Sequence, residues 1–296
     1  MDEDARRKLL KRYRVTSGKG FSLSGFDPDD RNGLDIDEDG GKVLLQAGVE
    51  RLSRLQEALY ANERWALLVV FQAMDAAGKD GTIKHVMSGV NPQGVTVTAF
   101  KQPGPVELGH DFLWRIHNAV PARGRIGIFN RSHYEEVLVT RVHPQVLDKQ
   151  DLPDARRGPK LWAHRYKDIR HFERYLDRQG TIVLKFFLHI SKEEQRQRFL
   201  SRLDEPDKRW KFSTGDLAER QCWDDYQAAY GDAIAATATP EAPWFIVPGN
   251  RKWYARLVVV EAMIQALEQL DLAIPTLTPA ADAELDKARQ QLEAEG

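Results

Sequence analysis

WALLVVFQAMDAAGKDGTIK, residues 65–84, decides how the rest of the chain is read. Ala66 to Phe71 form an apolar run. A short loop then carries Asp75, Gly78, Lys79 and Gly81, and the residues after it can open a helix at about Asp80. Strand, glycine loop with lysine, and helix is the layout of a phosphate-binding P-loop. Backbone N–H groups of such a loop converge on an anion, and the helix N-terminus adds partial positive charge. The candidate cradle is Ala76, Ala77, Gly78, Lys79, Asp80, Gly81 and Thr82, with Lys79 as the point charge that follows a transferred phosphoryl group. The spacing G-x-x-x-x-G-K-[ST] is kept imperfectly: Ala73 stands at the first glycine and Asp80 at the hydroxyl residue, with Thr82 two places on. An ordinary glycine-rich turn accounts for Gly78 and Gly81. It does not account for a lysine flanked by Asp75 and Asp80.

Around this stretch the composition is that of a soluble globular protein. Among 296 residues, 42% are hydrophobic and 29% charged, and the formal net charge is −1, so no global basicity points to nucleic acid. Cys222 is the single cysteine, which excludes an intramolecular disulfide and a cysteine zinc site and suits a cytoplasmic protein. No apolar stretch reaches the roughly 18 residues of a membrane span, and MDEDARRKLLKRYR lacks the apolar core of a signal peptide.

Residues 1–40, basic and then acidic, read as a solvated arm, with the lip of a polyanion channel as the functional alternative. From Lys42 to Ala61 apolar residues recur at helical spacing and lead into the first strand. Further strands are expected at 95–100, 125–129, 181–190 and 244–248, with helices at 107–118, 162–176, 193–203 and 253–270. Ser191 and Glu194 form a capping-box pattern, and Thr214-Gly215-Asp216 can cap a helix running to about Ala235. The expected architecture is five parallel strands sandwiched by helices, with residues 41–275 as the domain, a helical lid at about 205–235 and a charged tail at 276–296.

Phosphoryl transfer needs a phosphate cradle, a metal and cations that follow the transferred group. Asp75 is the metal-ligand candidate, because Mg²⁺ takes one or two carboxylates plus waters and phosphate oxygens. Lys79, Lys84, Lys101, Arg115, Arg131, Arg141, Lys208, Arg209 and Lys211 supply cations at strand ends or on the lid, with Arg209 placed as an arginine finger in cis.

At this point DAAGKDG (75–81), AFKQP (99–103), HDFLWRIH (110–117), FNRSHYE (129–135), VLVTRV (137–142), KRWKF (208–212) and APWFIVP (242–248), in this order, resemble the polyphosphate kinase 2 family. The resemblance covers roughly residues 40–270. It implies a P-loop kinase related in fold to thymidylate kinase, using Mg²⁺ (Mn²⁺ as a substitute) to pass phosphoryl groups between inorganic polyphosphate and adenine or guanine nucleotides. It also implies a homo-oligomer, tetramer or dimer. Asp75 and Lys79 match the family's loop carboxylate and lysine, Asn130, Arg131 and Glu135 its second strand-end motif, and Arg209 and Asp216 its lid. Many members carry Asp where this chain has Asn130, and Asn holds Mg²⁺ more weakly, so the metal falls to Asp75 or to phosphate oxygens. FNRSHYE followed by VLVTR resembles the subgroup usually called class III, which accepts nucleoside mono- and diphosphates. Direct in-line transfer needs no protein nucleophile, so His85, His110, His117 and His133 are expected in structural or phosphate-contacting places. The rival readings are a polyphosphate-binding scaffold and an ATP-dependent nucleotide kinase. A nucleic-acid binder and a membrane partner are not expected.

Overall fold

The computed structural model describes residues 1–34, 36–276 and 278–295, and the side chains of Lys208 and Lys211 lie outside the described residues. In chain order the elements are α1 (Glu3–Tyr13), β1 (Arg14–Val15), α2 (Glu38–Asn62), β2 (Ala66–Ala73), α3 (Lys79–Val86), β3 (Val95–Ala99), α4 (Pro105–Leu108), α5 (Trp114–His117), β4 (Ile126–Asn130), α6 (Glu135–Val142), α7 (Leu161–Arg178), β5 (Thr181–His189), α8 (Lys192–Asp204), α9 (Thr214–Gln221), α10 (Trp223–Thr237), β6 (Trp244–Pro248), α11 (Lys252–Glu268) and α12 (Pro279–Ala294).

Every residue of β2 is buried, as a strand covered on both faces requires, and β2 lies at the centre of the sheet order β1-β6-β5-β2-β4-β3. The α-helices α1, α2, α3 and α11 pack on one face, while α6, α7 and α10 pack together on the other. α11 is apolar nearly all round and receives Leu45, Val49, Leu52 and Leu59 from α2, so the helix itself belongs to the core. From β2 the chain crosses to β3, returns to β4 beside β2, and then crosses to β5 on the other side. The reversal opens a crevice at the C-terminal ends of β2, β4 and β5, the usual ligand position of an open parallel sheet.

The five expected parallel strands are present, and a sixth joins them. Arg14-Val15 pairs antiparallel with Phe245 and Trp244 at the sheet edge, a pairing too short to leave an alternating signature. The segment before it is less solvated than expected. Arg6, Leu9, Leu10 and Tyr13 are buried, and Arg6 ion-pairs with Glu261 and Glu268 of α11. The acidic half is also spent internally: Arg12 binds Asp30, Arg251 binds Asp29, and Asp37 caps α2. These pairings take Arg6 and Arg12 out of the basic run that the polyanion lip would use.

Two expected helices are broken. The 107–118 segment divides into α4 and α5 around Gly109–Leu113, where Asp111 Oδ1 accepts from the Leu113 N–H. The lid helix divides at Cys222, and its cap is Ser213, which forms a capping box with Asp216. Ser191 does cap α8, but Glu194 turns to Arg198 and the Ser191 N–H is satisfied by Asn250, so only half of that box forms.

Candidate phosphate-binding site

The loop between β2 and α3 owes its shape to backbone conformation. Ala76 has φ +61° and Gly78 φ +103°. The left-handed region is natural for glycine and costs an alanine about 1 kcal/mol or more, so the alanine must be held there from outside. Side chains of α8 do this. Gln195 Nε2 donates to the Asp75 carbonyl at 3.0 Å, and Arg198 Nη1 donates to the carbonyls of Ala76 (3.2 Å) and Ala77 (2.7 Å). The other guanidinium nitrogen, Nη2, reaches the carbonyls of Gly249 and Asn250 after β6. The peptide bonds of this loop are trans, so carbonyls turned toward α8 turn the N–H groups of Ala76, Ala77 and Gly78 away from it. The Ala77 N–H bonds the Met74 carbonyl at 3.3 Å. That leaves the N–H groups of Ala76 and Gly78 facing away from α8 at the N-terminus of α3, the backbone pattern of an anion-binding loop.

Lys79 Nζ donates to the Ala73 carbonyl at 2.9 Å. Burial, together with nearby Arg131, pushes its pKa down against the pull of Asp75, Glu135 and Asp80. Asn130, the last residue of β4, lies in register with Phe71 of β2. Arg131 follows with φ +63° and aims its guanidinium at the loop, with Nη2 3.0 Å from Asp75 Oδ1 and Nη1 3.4 Å from Glu135 Oε2. Burial raises the Glu135 pKa, opposed by Arg131 and Lys79. Asp75, Lys79, Arg131 and Glu135 therefore meet in one mixed-charge cluster at the crevice.

The remaining expected residues are spread more widely. Asn130 Nδ2 donates to Asp80 Oδ1 at 2.6 Å, so the amide holds a loop carboxylate. Asp75 and Asp80 put two carboxylates at the loop and the start of α3, the donor type that Mg²⁺ takes, and Thr82 is buried in the same first turn. Gly81 lies in the first turn of α3, Lys84 is exposed further along it, and Lys101 is exposed beyond β3 with its carbonyl bonded to Arg115. Arg141 stands about 9 Å along α6 from Glu135 and is engaged by Tyr166 and Asp232. Arg209 is exposed on the 3₁₀ turn Pro206–Lys211 and folds back onto the Leu203 carbonyl. Burial and then the charge of Asp75 raise the Asp216 pKa, placing this lid residue within electrostatic reach of the loop.

His133 and Tyr134, inside the strand-end motif, belong to the core. Tyr134 donates to Glu173 at 2.7 Å, Lys185 Nζ lies 2.6 Å from Glu173, and burial keeps His133 toward its neutral form. The sequence reading missed Gln195, Arg198 and Tyr230, which is buried against Glu135 from α10. Residues on other elements, far away in sequence, gave no local pattern. A separate cavity of about 480 Å³ opens beside Glu136, lined by Phe112, Arg115, Gln150 and Arg165, and no P-loop residue lines it.

No helix among the described residues is long and apolar enough to cross a membrane. The family model for polyphosphate kinase 2 matches residues 35–274. An ADP-polyphosphate phosphotransferase from Rhodopseudomonas palustris is 49% identical over 95% of this chain and 98% of its own. An AMP/ADP-polyphosphate phosphotransferase from Meiothermus ruber is 48% identical over 90% of this chain and 96% of its own. A crystal structure of polyphosphate kinase 2 from Arthrobacter aurescens TC1 superposes with a TM-score of 0.84 at 45% identity, covering 96% of both chains. A model match across most of the chain and relatives nearly half identical along almost its full length establish that the chain belongs to the polyphosphate kinase 2 family.

Proposed function

We propose that the chain transfers phosphoryl groups between inorganic polyphosphate and adenine or guanine nucleotides, forming ADP and ATP from AMP and ADP. The observation that carries this reading is the convergence of Asp75, Lys79, Arg131 and Glu135 on the strained loop after β2. The names of the Rhodopseudomonas and Meiothermus relatives support polyphosphate as one substrate and AMP and ADP as the others.

In the forward step a terminal phosphate oxygen of the nucleotide attacks the end phosphorus of polyphosphate in line. A new P–O bond forms to the nucleotide, and the phosphoanhydride bond to the next phosphate breaks. Its electron pair stays on the chain, now one phosphate shorter. The attacking oxygen is already ionised at neutral pH, so positioning and charge neutralisation supply the catalysis. N–H groups turned away from α8 cradle phosphate oxygens, Lys79 follows the moving group, and Arg131 holds the equatorial oxygens. Asp75 and Asp80 would hold Mg²⁺, or Mn²⁺ in its place, which supplies charge neutralisation when bound. Arg209 and Asp216 on the lid, with Lys208 and Lys211, meet the polyanion on closure. Arg141, Lys84 and Lys101 extend the basic path. A tetramer or dimer in the cytoplasm is part of the same reading, and light scattering on the purified chain tests the assembly.

The deciding experiment offers AMP and ADP separately with long-chain polyphosphate and Mg²⁺ in the absence of ATP. ATP from both acceptors is expected. ATP from ADP alone removes the dual-acceptor assignment, and no product from either removes the enzyme reading.

A further inference from the structure

Beyond the residues that face the phosphates, α8 carries a second set of contacts that runs to the lid. Gln195 is 1% exposed, and its amide has two directional ends. The Nε2 end donates to the Asp75 carbonyl at 3.0 Å, while the Oε1 end accepts from Arg220 Nη1 at 2.9 Å. Arg220 stands in the last turn of α9, the helix that follows Arg209 and Asp216 in the lid segment. The same Nη1 donates to the Lys192 carbonyl at 2.7 Å, in the first turn of α8. An unbroken chain of hydrogen bonds therefore joins lid helix, Gln195 and the backbone of Asp75.

The chain ends on a residue whose orientation is set by a neighbour in a left-handed conformation. Ala76, at φ +61°, persists only while its surroundings over-determine it. Arg198 fixes the carbonyls of Ala76 and Ala77, and Gln195 fixes that of Asp75. Among the described residues, the Gln195 contact is the one of these that continues to the lid. A primary amide suits this place because it donates at one end and accepts at the other. A carboxylate would leave the Asp75 carbonyl without a donor.

We propose that Gln195 is a positioning residue that couples the lid helix, through Arg220, to the backbone of Asp75, so that lid placement sets the phosphate loop. The coupling rests on the phosphoryl-transfer reading of the site. Its test uses the full chain labelled at alanine methyls, where Ala76 and Ala77 report on the loop without turnover, alongside steady-state kinetics. Arg220→Met is expected to move both methyl resonances with no substrate present. It is also expected to lower kcat about tenfold, the loss of one hydrogen bond to a charged donor, with the KM for polyphosphate changed less than twofold. Gln195→Met gives the same pattern, and the double variant loses no more than Gln195→Met alone. Arg220→Lys, which keeps a donor, restores most of kcat. Methyl resonances unmoved in Arg220→Met, or losses that add in the double variant, overturn the coupling. Absence of turnover in the parent chain overturns the functional reading instead, and leaves the spectra to decide the coupling.

Discussion

Replacing Asn130 by Asp exchanges one nitrogen for an oxygen at the mouth of the site. In the parent, Asn130 Nδ2 donates to Asp80 Oδ1 at 2.6 Å. In Asn130→Asp that donor is gone and two carboxylates face each other. Charge centres about 4 Å apart repel by about 1 kcal/mol in bulk water and about 4 kcal/mol at an effective dielectric near 20. The pair is exposed, so the lower half of that range applies, about 1–2 kcal/mol. The lost hydrogen bond to a charged acceptor adds about 1.5 kcal/mol, for a total near 3 kcal/mol. At about 2–4 °C per kcal/mol for a chain of this size, the expected fall in Tm is about 6–12 °C. Scanning calorimetry in EDTA and again in millimolar Mg²⁺ measures it. The deficit should appear in EDTA and shrink by at least half with Mg²⁺, because a cation between the carboxylates removes their repulsion and binds the folded state. The reversed pair, Asp80→Asn with Asn130→Asp, should return close to the parent. An Asn130→Asp chain as stable as the parent in EDTA refutes the assigned role of the hydrogen bond, and a deficit unmoved by Mg²⁺ refutes the claim that the pair faces a cation.

Other substitutions probe the loop from different sides. Lys79→Met should lower turnover about 10²–10³-fold, while Tm stays level or rises, because burial already depresses the Lys79 pKa and its charge is held at a cost. Turnover and calorimetry on the same preparation check both halves. Arg198→Met strips donors from the carbonyls of Ala76, Ala77 and Gly249. It should cost about 2–4 kcal/mol in urea unfolding, and turnover should fall with it. His189, buried at the end of β5, has its pKa lowered by burial from 6.5 to about 4. Its folded value lies below its unfolded one, so its contribution to stability is complete above about pH 6.5 and is lost as pH falls through about 4. That contribution is about 3 kcal/mol. Urea midpoints at pH 7.5 and 4.5 should therefore differ less in His189→Asn than in the parent.

The phosphate loop was legible because its signal is local: strand, glycines, lysine and helix follow one another within residues 65–84. Arg131 and Glu135 were legible for a similar reason, as polar residues directly after an apolar strand. What holds these residues in place was not. Gln195 meets the Asp75 carbonyl across 120 positions, and Arg198 meets the Ala77 carbonyl across 121. In sequence they look like two polar residues on an amphipathic helix. Arg6 misled in the opposite direction, since a basic N-terminal run reads as solvated until Glu261, 255 positions away, is seen to neutralise it. Asn130 misled by comparison with the aspartate expected there, because its value lies in the partner its amide donates to, Asp80, on a different element. A residue's type shows which interactions it can make, and the topology determines which of them it makes. The positive φ values at Ala76 and Arg131 show this most directly. Neither residue prefers that conformation, and both adopt it at the crevice between β2 and β4, where contacts from distant elements offset the strain.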